Sequence, residues 1–177
     1  KVFERLRNRE ELKDFVLIGG TALSLQINHR QSEDLDFWSP NKTLNRYEIN
    51  KLVTHLKSSG HQVVMVTPAS MISQARINGF DLLDSVQDWS VDGVKMTFFS
   101  RIDTSYSYFS QKRQLDKCDT QTAFSIMSAD GIFAMKAYVL SKRITSRDLY
   151  DLKSLIEQGR PIDVMFREAL KADPSIS

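Results

Sequence analysis

Two carboxylates, Asp34 and Asp36, stand two residues apart in the stretch LIGGTALSLQINHRQSEDLDFW, Leu17 to Trp38. On a strand, residues at that spacing face one side, so both acids point together while Leu35 and Phe37 point to the other face. Side by side they repel, and burial raises the cost unless a cation or a hydrogen-bond donor compensates. An oxygen-rich pair of this kind suits magnesium, which takes one or two protein carboxylates and completes its shell with water and phosphate oxygens. The plain alternative is a solvent-facing strand end with Asp36 paired to Arg30.

Upstream, Gly19-Gly20 stand between an apolar strand pattern and a helical one. Glycines there permit a sharp turn and close backbone approach, and the free N–H groups of a helix N-terminus attract phosphate. Alone, the pair reads equally as an ordinary β–α turn. Followed by the carboxylates, it supplies what nucleotidyl transfer needs: amides facing a triphosphate and acids that hold metal ions.

Several elements must position these groups. The opening KVFERLRNREELKDF spaces Val2, Phe3, Leu6 and Leu12 as an amphipathic helix. FVLI (Phe15 to Ile18) is a short buried strand, and Thr21 is placed to cap the helix TALSLQIN. DLDFW (Asp34 to Trp38) is the second strand, closed by Ser39-Pro40. Thr43 to Ser59 carries a broad apolar stripe and stops at Gly60, so it is a helix. HQVVMVT is a strand, followed by short β-like pieces: SMISQARI, the stretch near Trp89, and GVKMTFF. Asp92-Gly93 marks a hairpin between the last two. From Ser128 onward three helical patterns follow. SADGIFAMKAYVLSKR is capped by Ser128, TSRDLYDLKSLIEQ by Thr145 or Ser146, and IDVMFREALKA follows Pro161. The expected fold class is α+β, a small mixed sheet flanked by helices with a C-terminal helical segment packed onto it.

A chain of 177 residues, 41% hydrophobic and 26% charged, fits one core domain with a helical appendage. The net charge of +2 neither announces nor excludes a nucleic-acid binder. A single cysteine, Cys118, rules out an internal disulfide framework and a Cys-rich zinc site, and fits a reducing, cytoplasmic setting. His29, His55 and His61 lack ligand spacing. No apolar run reaches bilayer-spanning length and no signal peptide opens the chain. Because it begins at Lys1, residues before it are expected to be missing. In SRIDTSYSYFSQKRQLDK, Tyr106, Tyr108 and Phe109 beside Lys112 and Arg113 could hold a single-stranded RNA end; a surface-crossing loop anchored by aromatics is the plainer alternative.

GGTAL, then HRQSEDLDF, then a late lysine helix and RDLYDL resemble the AbiEii/AbiGii toxin family of nucleotidyltransferases, within the DNA polymerase β-like superfamily. The resemblance runs from about Phe15 to about Ile156, the middle matching only in element order. It implies a nucleotidyltransferase core over 1–127 and a helical segment over 128–177 completing the active-site cleft. Gly19, Gly20 and Thr21 match the family's phosphate-side turn, and Asp34 and Asp36 its metal-binding carboxylates. Arg30 and Ser32 match the approach to that strand, where bracing the loop is an equal alternative. Lys136 matches a lysine expected to reach nucleotide phosphates; read from the residues alone, it is a snorkelling lysine on an apolar helix with its head in water. Asp148 matches the last motif's aspartate, positioning Lys136 or assisting the acceptor. Asp148 and Asp151 also share a face in a helix first turn, where acids complement the dipole.

One departure stands out. Superfamily members often carry a third carboxylate on a later strand, and in GVKMTFF the corresponding position is Thr97. The resemblance implies an enzyme using Mg2+ or Mn2+ to move NMP from an NTP to an acceptor hydroxyl, with RNA or tRNA as acceptor, an antitoxin as partner and growth inhibition as the result. Two alternatives stand beside it: the same chemistry on a small molecule or protein side chain, and a degenerate relative that binds nucleotide or a protein partner without catalysis.

Overall fold

The computed structural model describes residues 2–32, 34–111 and 122–175. Its centre is a six-stranded mixed sheet in the order β3-β4-β5-β2-β1-β6. The strands are β1 (Val16–Ile18), β2 (Leu35–Ser39), β3 (Val63–Met65), β4 (Val86–Val91), β5 (Val94–Ser100) and β6 (Ser125–Ile126). β2 runs antiparallel to β1 and parallel to β5, β6 runs parallel to β1, and β3, β4 and β5 form an antiparallel meander. The β4–β5 hairpin turns on Asp92 and Gly93, both at positive φ, as a two-residue turn requires.

Register decides which side chains reach the site. Leu35 and Phe37 lie opposite Met96 and Phe98, all fully or almost fully buried, and the Phe37 and Phe98 rings stack at 5.4 Å. Burying a side chain of this size stabilises by roughly 1.5–3 kcal/mol. A one-residue slip would exchange these aromatics for Asp36 and Thr97, so the core fixes the face that the acid presents.

The helices are α1 (Val2–Leu6), α2 (Gly19–Ile27), α3 (Arg46–Ser58), α4 (Ala69–Ile77), α5 (Thr104–Gln111), α6 (Ala129–Leu140), α7 (Ser146–Glu157) and α8 (Ile162–Ala172). The opening pattern ends sooner than expected: α1 stops at Leu6, and Glu10–Leu12 form a separate 3-10 turn that buries Leu12. SMISQARI is helix α4 rather than a β-like piece. Pro68 presets its first turn, and Ala, Met, Gln and Arg outweigh the isoleucines that suggested a strand. The aromatic stretch Tyr106 to Phe109 is likewise helical. Asp103 accepts the Tyr106 N–H at its start, and Phe109 is fully buried within it. Lys112, Arg113 and Cys118 lie outside the described residues.

Ser128 and Thr145 cap α6 and α7, each accepting from the third helical N–H, as their types predict. One buried cluster joins sheet residues such as Leu17 and Phe37 to Ile132, Phe133 and Leu155 of the late helices. Among the described residues no helix is long and apolar enough to cross a membrane.

Candidate active site

β1 ends at Ile18 and α2 begins at once with Gly19, whose φ of +74° is the left-handed region that favours glycine. A Cβ on Gly19 would stand 2.7 Å from an Asp36 carboxylate oxygen, and one on Gly20 would stand 2.4 Å from the Arg30 guanidinium. The two glycines thus admit two charged side chains against the backbone. No side chain caps α2, so its first N–H groups have no such partner. Thr21 does not cap it either, contrary to expectation. Its buried hydroxyl donates to the backbone carbonyl of Asp34 and lies 3.1 Å from the Ser32 hydroxyl, tying down the loop that carries Asp34.

Gly19, Gly20, Asp36, Lys136, Arg143 and Asp148 face one cleft of about 240 Å³, whose apolar wall includes Phe99, Tyr106 and Ile132. The Asp36 carboxylate has no hydrogen bond or ion pair among the described residues. Burial pushes its carboxyl above the ordinary range, Asp34 adds to the shift, and Lys95 and Lys136 oppose it. Asp34 precedes β2, is half exposed and does not line that cleft; Arg147 stands 3.5 Å away from its carboxylate.

Lys136 does not hold its head in water. Its ammonium lies 2.6 Å from Asp148 and 2.9 Å from Asp151, mostly shielded from solvent. Arg30 does not pair with Asp36. It grips Asp151 through Nε at 2.6 Å and Nη2 at 3.1 Å, a two-pronged contact that braces the loop between α2 and β2. His29 Nε2 adds a third contact to Asp151 at 2.8 Å. With Arg143 3.9 Å from Asp148, the two carboxylates meet three permanent cations plus one imidazole.

Burial tends to raise the Asp151 carboxyl, but hydrogen bonds from Arg30, Lys136 and His29 outweigh it and hold that carboxyl well below the usual range. Asp148 is also held low. Burial opposes the shift, while Lys136 and the Thr145 hydroxyl produce it.

Asp151 was visible in the sequence only as a helix-face neighbour of Asp148. Its central place depends on Arg30 and His29, more than a hundred residues away. Asp81 and Asp84 pair with Arg46 and Asp103 with Arg101, so none of these three acids serves the cleft.

Asp36 and Thr97 face each other across β2 and β5, as the sequence reading of GVKMTFF expects. Among the described residues no group of three or more His, Cys, Asp or Glu side chains could hold a metal by itself. The donor set nevertheless fits a hard divalent cation. Asp36 is a half-buried carboxylate without a protein partner, Asp34 stands nearby, and phosphate oxygens and water would complete the shell.

An uncharacterized protein of Aquifex aeolicus (strain VF5) is 27% identical over 146 residues, covering 82% of this chain, and the aligned part is 59% of that relative's length. A solved structure described as an antigenic nucleotidyltransferase-like protein from Paracoccidioides brasiliensis aligns over 91% of this chain and 81% of its own, with 17% identity and a TM-score of 0.44. The sequence model for the nucleotidyl transferase AbiEii toxin of type IV toxin–antitoxin systems matches residues 1–173. With that match spanning nearly the whole sequence, the chain belongs to the AbiEii nucleotidyl transferase toxin family.

Proposed function

We propose that the protein transfers NMP from an NTP to an acceptor hydroxyl, in a reaction dependent on Mg2+ or Mn2+, with RNA or tRNA as acceptor and growth inhibition as the outcome. The observation that carries this reading is the convergence of Gly19, Gly20, Asp36, Lys136 and Asp148 on one cleft from three separate parts of the chain. Asp34 and Asp36 would hold the divalent ion, which when bound offsets triphosphate charge and lowers the barrier to attack at the α-phosphate.

The chain's own residues supply the rest. Gly19 and Gly20 let phosphate oxygens approach the α2 backbone. Lys136, steadied by Asp148 and Asp151, offers a fixed positive charge to the phosphates without reorganising during the reaction. Arg143 and Arg147 are largely exposed at the rim and extend that positive field outward. The segment 128–177 acts as the cleft's second wall, contributing Lys136 and Asp148 to the core over 1–127.

Incubating the purified protein with each NTP labelled at the α-phosphate, magnesium and total cell RNA tests the proposal. Label recovered in RNA supports it; label in protein redirects the acceptor. The presence of Thr97 opposite Asp36 favours a second reading, a degenerate nucleotide-binding protein engaged by an antitoxin. Magnesium-dependent NTP binding with no transfer to any acceptor would select that one.

A further inference from the structure

Asp36, Thr97 and Asp88 form one row across three adjoining strands. Asp36 pairs with Thr97 on β5, and Thr97 pairs with Asp88 on β4. Paired residues project from the same face of a sheet, so all three side chains emerge beside one another, about 4.8 Å apart from strand to strand. The Thr97 hydroxyl donates to Asp88 Oδ1 at 2.7 Å. Lys95, two residues earlier on β5 and on the same face, lies 3.5 Å from the same oxygen. The Asp88 backbone is pinned as well: its N–H donates to the Thr67 hydroxyl at 2.8 Å, and its carbonyl accepts from Val66 at 2.8 Å. Aspartate is disfavoured in a strand interior, yet this one is held by Thr97, Lys95, Thr67 and Val66 in the row that ends at Asp36.

We propose that Asp88, acting through Thr97, positions and deprotonates the acceptor hydroxyl, so that the threonine–aspartate pair does the work of a carboxylate next to Asp36. This rests on the nucleotidyl-transfer reading of the cleft. Because the Thr97 proton is committed to Asp88, the threonine oxygen presents lone pairs to an incoming group. An acceptor hydroxyl would donate its proton to that oxygen and turn its own lone pair toward the α-phosphate held beside Asp36.

As the new oxygen–phosphorus bond forms, the bond from the α-phosphorus to the bridging oxygen breaks and pyrophosphate leaves with the electron pair. The acceptor proton passes to Thr97 Oγ1 as the threonine proton passes to Asp88, which releases it to water. Thr97 is therefore the group that touches substrate, and Asp88 is a positioning residue behind it. If the row were only a polar ladder across the sheet, removing it would change stability and leave the transfer step alone.

The test compares Asp88→Asn, Thr97→Val, Thr97→Ser, the double variant Asp88→Asn/Thr97→Val and the control Asp92→Asn, whose carboxylate belongs to the hairpin turn. Each is assayed for transfer of label from NTP to total cell RNA, for direct NTP binding by calorimetry and for melting temperature. General-base assistance of this kind is worth roughly 10²–10⁴-fold. Asp88→Asn and Thr97→Val should each lower kcat by about that factor, with NTP binding and the KM for NTP within about twofold of wild type. Thr97→Ser, which keeps the hydroxyl, should recover most of the rate that Thr97→Val loses. The double variant should be no slower than the worse single variant, because the two residues act as one unit.

Wild-type kcat in Asp88→Asn, or a loss that follows NTP binding or melting temperature, would overturn the proposal while leaving the transfer reading intact. Failure of the wild-type protein to transfer label would overturn the transfer reading itself, and this proposal with it.

Discussion

The Lys136 ammonium, on α6, bridges Asp148 and Asp151 of α7 at 2.6 and 2.9 Å, and the Asp151 side chain is fully buried. The lysine is therefore both the strut between two helices and the cation facing the cleft. Removing one partner of a buried pair leaves its counter-charge uncompensated, at a cost of roughly 3–5 kcal/mol. Lys136→Ala should lower unfolding stability by about 3 kcal/mol and raise the NTP concentration needed for half-maximal transfer. Lys142→Ala, which removes a surface pair with Asp173 and a contact over the Tyr138 ring, should cost far less. Denaturant titrations of the two variants check this, and equal losses would contradict the bridging role.

Gly19 can be probed against a control glycine. Gly19 and Gly60 both have positive φ, but a Cβ on Gly60 would meet nothing within 4 Å, whereas one on Gly19 would meet the Asp36 carboxylate. Each alanine substitution carries roughly 1–2 kcal/mol of left-handed strain. Gly60→Ala should show that cost and keep its activity. Gly19→Ala should show it and also lose transfer, because Asp36 is displaced. Comparing melting temperature with specific activity separates the two effects.

The pH dependence of folding follows from Asp148 and Asp151, both held below the ordinary carboxylate range. A carboxyl whose folded value is depressed contributes fully above its unfolded value and loses that contribution as pH falls toward its folded one. Stability should therefore hold at neutral pH and fall steadily as the solution is acidified through and below the ordinary carboxylate range. Asp151→Asn should be less stable at neutral pH, since Arg30 and Lys136 lose their shared counter-ion, and should show a flatter acid slope. Unfolding free energy measured across that range tests both the sign and the slope.

The local chemistry was legible in the sequence because it is carried by short spacings. The glycine pair, the two-residue interval between Asp34 and Asp36, the Ser128 and Thr145 caps and the Asp92-Gly93 hairpin each depend on neighbours within a few residues. Even Thr97 could be named, through the resemblance, as the residue standing where superfamily members often carry a third carboxylate. Contacts at long separation could not be read: Arg30 with Asp151, Lys136 with its two acids, and Asp88 behind Thr97 depend on how elements dock and on strand register. SMISQARI misled because its isoleucines suggest a strand while the residues between them favour a helix. The two-residue strand β6 is too short to leave a periodic signal.

Nucleotide transfer by an Asp36-dependent cleft is reached directly by one comparison. Wild type and Asp36→Asn are incubated with NTP labelled at the α-phosphate, magnesium and total cell RNA, with melting temperatures recorded alongside. Replacing a half-buried carboxylate that is repelled by Asp34 should leave the melting temperature unchanged or raised. Wild type should label RNA, and the equally well folded Asp36→Asn protein should not. Equal labelling by the two proteins would contradict Asp36-dependent transfer.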